Sequence, residues 1–167
     1  MNRSFTIYHP NAKGTGSALR FTLFPAHDEV DGAILLEFIP QVCVNRQNAY
    51  DPLKWDNPNP IKIKLAFDDI CRMLSVFRGE TECLDTYNPD KGLWHQKQDS
   101  IICFKMTHEV DPITGYKFSV YEQNRETQEE RNCVFLMKYH EAHGVCEVMT
   151  QSLTQVVFGT PRVFTLN

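Results

Sequence analysis

The sequence predicts an α+β domain in which two antiparallel β-sheets pack together and a helix follows each sheet. Strand patterns dominate residues 17–65 and return over residues 100–138, and each group is followed by a helical pattern. Strands then a helix, repeated twice, is typical of this fold class. The 167 residues are enough for one domain, 1–167, with its core over about 9–160. Residues 1–16 are predicted to be a polar lead-in to the first strand.

The first half of the chain contains three predicted strands and one helix. The strands fall at about residues 17–24, 32–40 and 61–65, because apolar and polar residues alternate there. The pattern of the second strand extends toward Asn45. A loop rich in proline and asparagine covers residues 47–60. Asp68 is predicted to cap a helix over about 69–78, which Gly79 ends.

The second half repeats the plan. Residues 80–99 are poorly patterned and contain a turn at 88–92. Strands are then predicted at 100–107, 116–121 and 132–138, joined by turns at 111–115 and 123–130. The last helix spans about 141–158 and ends at Gly159 and Pro161. Its apolar stripe consists of Ala142, Val145, Met149, Leu153 and Val156. Cys146, Val157 and Phe158 widen that stripe, and so broad an apolar arc predicts contact with more than one neighbour.

Composition indicates a soluble globular protein, with 42% hydrophobic and 23% charged residues. No apolar run approaches the length of a membrane span, and residues 1–5 lack the apolar segment of a signal peptide. The six cysteines are scattered through apolar segments without a Cys-x-x-Cys pair. We therefore expect reduced structural thiols, no zinc site and a cytoplasmic location.

Charge gives a mixed indication about nucleic acid. The net charge of −4 and the pI near 5.8 argue mildly against such a partner. The charge is uneven, however: residues 1–79 carry a balance of +1, and residues 80–167 carry −5. A basic face is compatible with a chain that is acidic overall.

The segment Lys13–Leu19 reads Lys-Gly-Thr-Gly-Ser-Ala-Leu and opens the first predicted strand. Gly14 and Gly16 allow a sharp turn or a close approach of the backbone to a ligand. Lys13, at the mouth of this segment, is placed for a phosphate contact. A plain turn beside a lysine is the alternative interpretation.

Several segments resemble, in order, the Whirly family of single-stranded-DNA-binding proteins. Residues 13–19 resemble the family's Lys-Gly-Lys-Ala-Ala-Leu-Ser, without its second lysine. Residues 32–40, Gly-Ala-Ile-Leu-Leu-Glu-Phe-Ile-Pro, are similar to Gly-Ser-Met-Met-Leu-Thr-Phe-Met-Pro. Residues 50–55 resemble the family's Tyr-Asp-Trp with an insertion, and 115–120 resemble its Gly-Tyr-x-x-Ser-Val hairpin. The resemblance covers about residues 9–160 and extends to the fold of positive cofactor four and of kinetoplastid guide-RNA-binding proteins.

The resemblance implies a binding surface on the sheets and between subunits, where cations meet phosphates and rings stack on bases. The candidate binding residues are Lys13, Gly14, Arg20, Phe21, Phe38, Lys54, Trp55, Lys62, Lys64, Lys105, Lys117 and Tyr121. Lys62 and Lys64 share one face of a strand, and Lys105 and Lys117 are expected to meet across a hairpin. A solvated strand face is the alternative for the lysines. Most rings near the hairpin could instead pack in the core. Trp55 could instead hold its loop against the body of the protein.

Catalysis has little support in the sequence. His140 and His143 lie three residues apart on a predicted helix, which is compatible with a shared metal, but no third ligand suggests itself. The spacing is not the His-Glu-x-x-His of a metalloprotease, and no glycine-rich loop opens a helix. We therefore expect no enzyme, no cofactor and no metal.

The sequence thus predicts a binder of single-stranded DNA, or alternatively RNA, with little sequence preference. The roles considered are transcription regulation and DNA maintenance. The resemblance implies a homotetramer whose final helices pack at its centre, with no membrane partner. The alternatives are a protein-interaction module on the same fold and, third, a small enzyme using His140 and His143.

Overall fold

The computed structural model describes residues 3–43, 54–55, 59–85, 88, 92–109 and 115–159, and of residues 42–43 and 54–55 it describes the backbone only. Nine strands and two helices lie within these ranges. The strands are β1 (Arg3–His9), β2 (Ser17–Phe24), β3 (Ala33–Cys43), β4 (Lys54–Trp55), β5 (Ile61–Leu65), β6 (Leu93–Gln96), β7 (Ser100–Glu109), β8 (Gly115–Asn124) and β9 (Glu130–Lys138). The helices are α1 (Phe67–Phe77) and α2 (Tyr139–Phe158).

The first sheet is antiparallel, with β2 between β1 and β3, and with β4 and β5 both paired to β3. The predicted strands in this half are confirmed. The prediction of a polar lead-in over residues 1–16 is wrong, because residues 3–9 form β1. Phe5 and Ile7 point into the core, while Ser4, Thr6 and Tyr8 alternate with them on the other side. The predicted loop at 47–60 lies mostly outside the described residues, and β4 falls within it.

The second sheet is also antiparallel, in the order β6-β7-β8-β9. Its three predicted strands are confirmed. The pairing of Glu109 with Gly115 confirms the hairpin between β7 and β8. Within the poorly patterned residues 80–99, the structure has a strand that the sequence did not predict, because residues 93–96 form β6 and pair with β7.

Both helices begin earlier than the sequence predicts. Asp68 is not the cap of α1. Instead, the backbone amide of Ala66 donates to Oδ2 of Asp69, 3.0 Å away, and the helix begins at Phe67. In the same way, the backbone amide of Lys138 donates to Oε2 of Glu141 at 2.9 Å, and α2 begins at Tyr139. Gly159, with φ 75°, ends α2 as predicted. Among the described residues, neither helix has the length and apolar character needed to cross a bilayer.

One core joins the inner faces of the two sheets with both helices. Phe38 of β3 meets Phe104 of β7 edge-on, with ring centroids 5.8 Å apart. Phe104 in turn stacks on Phe118 of β8, and Phe118 lies beside Phe77 of α1. The predicted class, α+β with two antiparallel sheets each followed by a helix, is confirmed.

Strand β9 lies across the ends of the strands of the first sheet. The ring of His9 stacks on Phe135 at 4.5 Å, and Ser17 Oγ donates to the carbonyl of Val134 at 2.7 Å. At the other end of β9, the guanidinium of Arg131 donates to the side-chain oxygen of Asn59 at 3.0 Å. Because the inner faces share one core, each sheet keeps an outer face that is turned away from it.

Candidate nucleic-acid interface

The outer face of the second sheet consists of the outward side chains of β6 to β9. These are Trp94, Gln96, Ile101, Cys103, Lys105, Thr107, Glu109, Lys117, Ser119, Tyr121, Gln123, Glu130, Asn132, Val134 and Leu136, with Lys138 at the end of β9. Lys105 pairs with Ser119 and Lys117 pairs with Thr107, so the two lysines are diagonal neighbours on adjacent strands. The register therefore places these two lysines near each other across the hairpin, as the sequence predicts.

Two rings lie in one row of this face. Trp94 pairs with Cys103, which pairs with Tyr121, so the indole and the phenol flank one thiol. Trp94 is 53% exposed, so part of this residue is accessible to a ligand. Tyr121 donates a hydrogen bond to the Glu130 carboxylate, which raises the pKa of the phenol and keeps it neutral. Neutral rings next to cations are the usual elements of single-strand binding.

Strand β9 adds apolar surface to the same face. Val134 and Leu136 are both exposed although they lie in the middle of a strand. Val134 pairs with Ser119 and Leu136 pairs with Lys117, so these side chains border the two lysines. Exposed apolar side chains can contact a base, while the neighbouring cations contact the phosphate of the same nucleotide.

The loop between β1 and β2 is held by one side chain. Oδ1 of Asn11 accepts the backbone amides of Lys13 and Thr15, both at 3.0 Å, and Nδ2 donates to Oγ1 of Thr15 at 2.9 Å. Gly14 has φ 74°, a conformation that favours glycine. The loop therefore presents Lys13 to solvent on a defined backbone.

Gln41 anchors the far side of this loop. Its Oε1 accepts the backbone amides of Asn11 at 3.0 Å and Gly16 at 3.1 Å. A Cβ on Gly16 would lie 2.3 Å from that oxygen and 2.4 Å from the carbonyl oxygen of His9, so only glycine fits there. The close approach predicted for these glycines is thus to Gln41 and His9 of the chain itself.

A groove of about 570 Å³ separates this loop from β9. Its walls include Tyr8, Asn11, Thr15, Val134 and Lys138. Since Val134, Leu136 and Lys138 also belong to the outer face of the second sheet, the groove and that face are continuous. Lys13 stands on the loop that forms one wall.

Three further predicted cations, Arg20, Lys62 and Lys64, lie on the outer face of the first sheet. This face carries Thr6, Arg20, Glu37, Lys62 and Lys64, and its inner face packs on the core. Arg20 and Lys62 both contact the carboxylate of Glu37, at 3.4 and 3.5 Å. Lys64 is exposed. The structure therefore divides the predicted site between two sheets instead of joining it on one surface.

Two predicted rings do not reach solvent. Phe21 is buried and stacks on Phe5 at 4.8 Å, and Phe38 has no exposed surface. Both therefore belong to the core, and their assignment to the binding surface is corrected. Phe104 and Phe118 are also fully buried, as core packing predicts. The side chains of Lys54 and Trp55 lie outside those described.

Tyr8, Trp94, Val134, Leu136 and Lys138 were not among the predicted site residues. Tyr8 and Trp94 lie in β1 and β6, the two strands that the sequence interpretation missed. The alternation of Phe5 and Ile7 with polar residues is the signal for β1. Val134, Leu136 and Lys138 lie in a predicted strand, but the sequence does not say which of its faces is exposed.

The helix pair His140 and His143 offers little for catalysis. Both side chains are exposed at the start of α2. In the described part of the chain, no three His, Cys, Asp or Glu side chains group closely enough to hold a metal ion.

No protein-family model matches the chain, and no curated protein matches its sequence. Solved structures do share its fold. WHY1 from Arabidopsis thaliana has a TM-score of 0.71 and 15% identity, covering 95% of this chain and 86% of that one. The plant transcriptional regulator PBF-2 has a TM-score of 0.70 and 14% identity, over 93% and 82%. A guide-RNA-binding protein complex bound to a guide RNA has a TM-score of 0.61 and 16% identity, covering 96% of this chain and 96% of that one. The chain therefore has a Whirly-like fold, as the resemblance predicts.

Proposed function

We propose that this protein binds single-stranded nucleic acid, with DNA preferred over RNA and with little sequence preference. The observation that carries the proposal is the outer face of the second sheet, where Lys105 and Lys117 lie beside Trp94, Tyr121 and Leu136. Cations that follow a backbone and rings that stack on any base bind single strands without reading their sequence. One neighbour in fold is described as bound to a guide RNA and another as a transcriptional regulator, which supports the same class of partner.

The protein acts as a binder and carries out no catalysis. The proposed roles are transcription regulation and DNA maintenance. A reducing compartment such as the cytoplasm suits the described cysteines. The described Cys71, Cys83, Cys103, Cys133 and Cys146 form no disulfide, and burial raises the pKa of the Cys133 thiol to about 11.

We further propose a homotetramer in which copies of α2 pack together. The helix leaves Val148, Val157 and Phe158 exposed, and the ring of Phe158 is 82% exposed. Apolar side chains at one end of a helix are commonly covered by another subunit.

A protein-interaction module is the second candidate. Exposed Val134 and Leu136 on a sheet face, in a chain with net charge −4, are also compatible with a protein partner. The two functions differ in their response to salt, because phosphate contacts release counterions and apolar contacts do not.

The experiment is a fluorescence-anisotropy titration of a labelled single strand of about thirty bases, several times the length of a typical single-strand site. Single-stranded DNA, the same sequence as RNA and the matching duplex are compared at about 50 and 200 mM salt. If Lys13, Lys105 and Lys117 contact phosphates, affinity for the single strand falls roughly twentyfold over this range. Tighter binding of the DNA strand than of the RNA or the duplex is expected. Absence of salt-dependent binding would favour the interaction module.

A further inference from the structure

A carboxylate lies at the centre of the outer face of the first sheet. The registers of β1, β2, β3 and β5 place Thr6, Arg20, Glu37 and Lys62 in one row across the sheet. Glu37 is only 7% exposed, although its neighbours in the row are cations that reach solvent. A carboxylate this well buried is stable as an anion only when cations or hydrogen bonds compensate its charge.

Each oxygen of Glu37 contacts one cation. Oε2 lies 3.4 Å from a guanidinium nitrogen of Arg20, and Oε1 lies 3.5 Å from Nζ of Lys62. Arg20 also donates to Oγ1 of Thr6 at 3.4 Å. The side chain of Lys62 is 48% exposed, so its ammonium group is accessible from outside. The position that a phosphate would occupy beside Lys62 is thus already taken by an anion of the protein.

Within the described ranges, the lysines of the second sheet and of the β1–β2 loop have no such contact with a carboxylate. Among the ion pairs formed by the described residues, none involves Lys105, Lys117 or Lys13. When a lysine without a carboxylate partner neutralises a phosphate, the nucleic acid releases counterions that were condensed on it. A lysine whose charge Glu37 already offsets neutralises a phosphate less completely, and the carboxylate repels an incoming phosphate.

We propose that Glu37 is an internal anion that keeps Lys62, in the row of Arg20 and Glu37 on the first sheet, from binding nucleic acid. The proposal rests on the proposed function. It makes Glu37 the residue that withholds Lys62 from a single strand bound at the second sheet and the loop of Lys13. It also gives different roles to Lys62 on the first sheet and to Lys105 and Lys117 on the second.

The test is Glu37→Gln, which keeps the shape of the side chain and removes its charge. The freed Lys62 is expected to make one phosphate contact. The log–log salt slope for a thirty-base single strand should then steepen by about 0.7, with binding about fivefold tighter at about 0.1 M salt. Glu126→Gln is the matched control, because it removes one charge from an exposed turn. This control should change the slope little.

Lys62 variants separate the mechanism from a general gain of positive charge. Glu37→Gln/Lys62→Gln should return to the wild-type slope. Lys62→Gln alone should leave the wild-type slope unchanged, and this measurement remains valid if Glu37→Gln folds poorly. A Glu37→Gln protein that gains no more than Glu126→Gln overturns the inference, as does a loss of about 0.7 from Lys62→Gln alone. A wild type without salt-dependent binding overturns the proposed function itself, and the inference with it.

Discussion

Contacts with carboxylates separate the cations of this chain into two groups. The paired ones are Arg20, Lys62, Arg72, Lys97 and Arg131. The second group consists of cations that occur in no ion pair of the described residues, and it includes Lys13, Lys105 and Lys117 at the candidate interface and Lys64 on the first sheet. A cation without a carboxylate partner binds a phosphate without first breaking a contact. The second group therefore carries the expected phosphate contacts.

For Lys13, on the β1–β2 loop, we predict a contact with a phosphate and none with a base. Lys13→Gln should weaken binding to all oligonucleotides alike, because a phosphate contact carries no sequence information. The log–log salt slope should become shallower by about 0.7. Salt titrations with oligonucleotides of several compositions measure both effects. Arg72→Gln, which removes a cation paired with Asp68, is the control and should leave the slope unchanged. A loss confined to one composition contradicts the prediction.

For Trp94, on β6, we predict stacking on a base. Trp94→Ala should cost roughly 1–3 kcal/mol of binding free energy and leave the salt slope unchanged, because stacking releases few counterions. Tyr139→Ala is the matched control, since it removes an exposed ring from α2, outside the outer face of the second sheet. Equal losses in the two variants would show that Trp94 has no special role.

At the scale of elements, Glu141 ties the start of α2 to the end of β1. Its carboxylate accepts a hydrogen bond from Nε2 of His9 at 2.8 Å and another from the backbone amide of Lys138 at 2.9 Å. Burial alone raises the pKa of Glu141, but the hydrogen bonds from His9 and Lys138 outweigh it and lower the pKa below the ordinary 4.5. A group whose pKa is lowered by folding stabilises the protein fully above its unfolded pKa, and that contribution is lost as the pH falls.

We therefore predict that Glu141→Gln reduces stability by about 1–2 kcal/mol near neutral pH, from the loss of charged hydrogen bonds. The deficit should shrink as the pH falls below about 4.5, because protonation removes the same contribution from the wild type. Urea unfolding at a series of pH values measures this difference. Glu147→Gln, an exposed position on the same helix, should match the wild type throughout. A deficit that is independent of pH would contradict the assignment.

Strands with strict alternation were predictable, and those without it were missed. Residues 61–65 alternate perfectly, and β5 has those bounds. In β1 the pattern is weaker, because its inward ring His9 is polar and its outward ring Tyr8 is aromatic. In β6 only Leu93 is buried, so four residues carry too little pattern to be recognised. The helix starts were misplaced because Asp69 and Glu141 act through backbone amides three residues upstream, not as caps themselves.

Residues of the candidate site were predictable only where their spacing within one strand shows that they share a face. Lys117 and Tyr121 are separated by four residues in one strand, so they share a face in any strand. Phe21 and Phe38 were misassigned because the choice of inner face depends on what packs against the sheet. The pairing of Glu37 with Arg20 and Lys62 depends on the register of three strands, which the sequence alone does not fix.

At the scale of the whole molecule, we predict self-association through α2. Light scattering should give four times the 19.4 kDa chain mass at micromolar concentration, because Val157 and Phe158 are exposed in the single chain. Phe158→Glu should shift the mass toward one chain, whereas Thr154→Glu, also exposed on α2, serves as its control. A wild type that scatters as a 19.4 kDa monomer contradicts this prediction.

The decisive measurement for binding by the second sheet is the salt dependence of Lys105→Gln/Lys117→Gln with a single-stranded oligonucleotide. We expect its log–log slope to be shallower than that of the wild type by about 1.4, twice the value for one single-strand phosphate contact. Lys62→Gln/Arg72→Gln is the control, because it removes two positive charges that carboxylates already neutralise, and it should keep the wild-type slope. An unchanged slope in Lys105→Gln/Lys117→Gln, or an equal loss in the control, would contradict binding at this face.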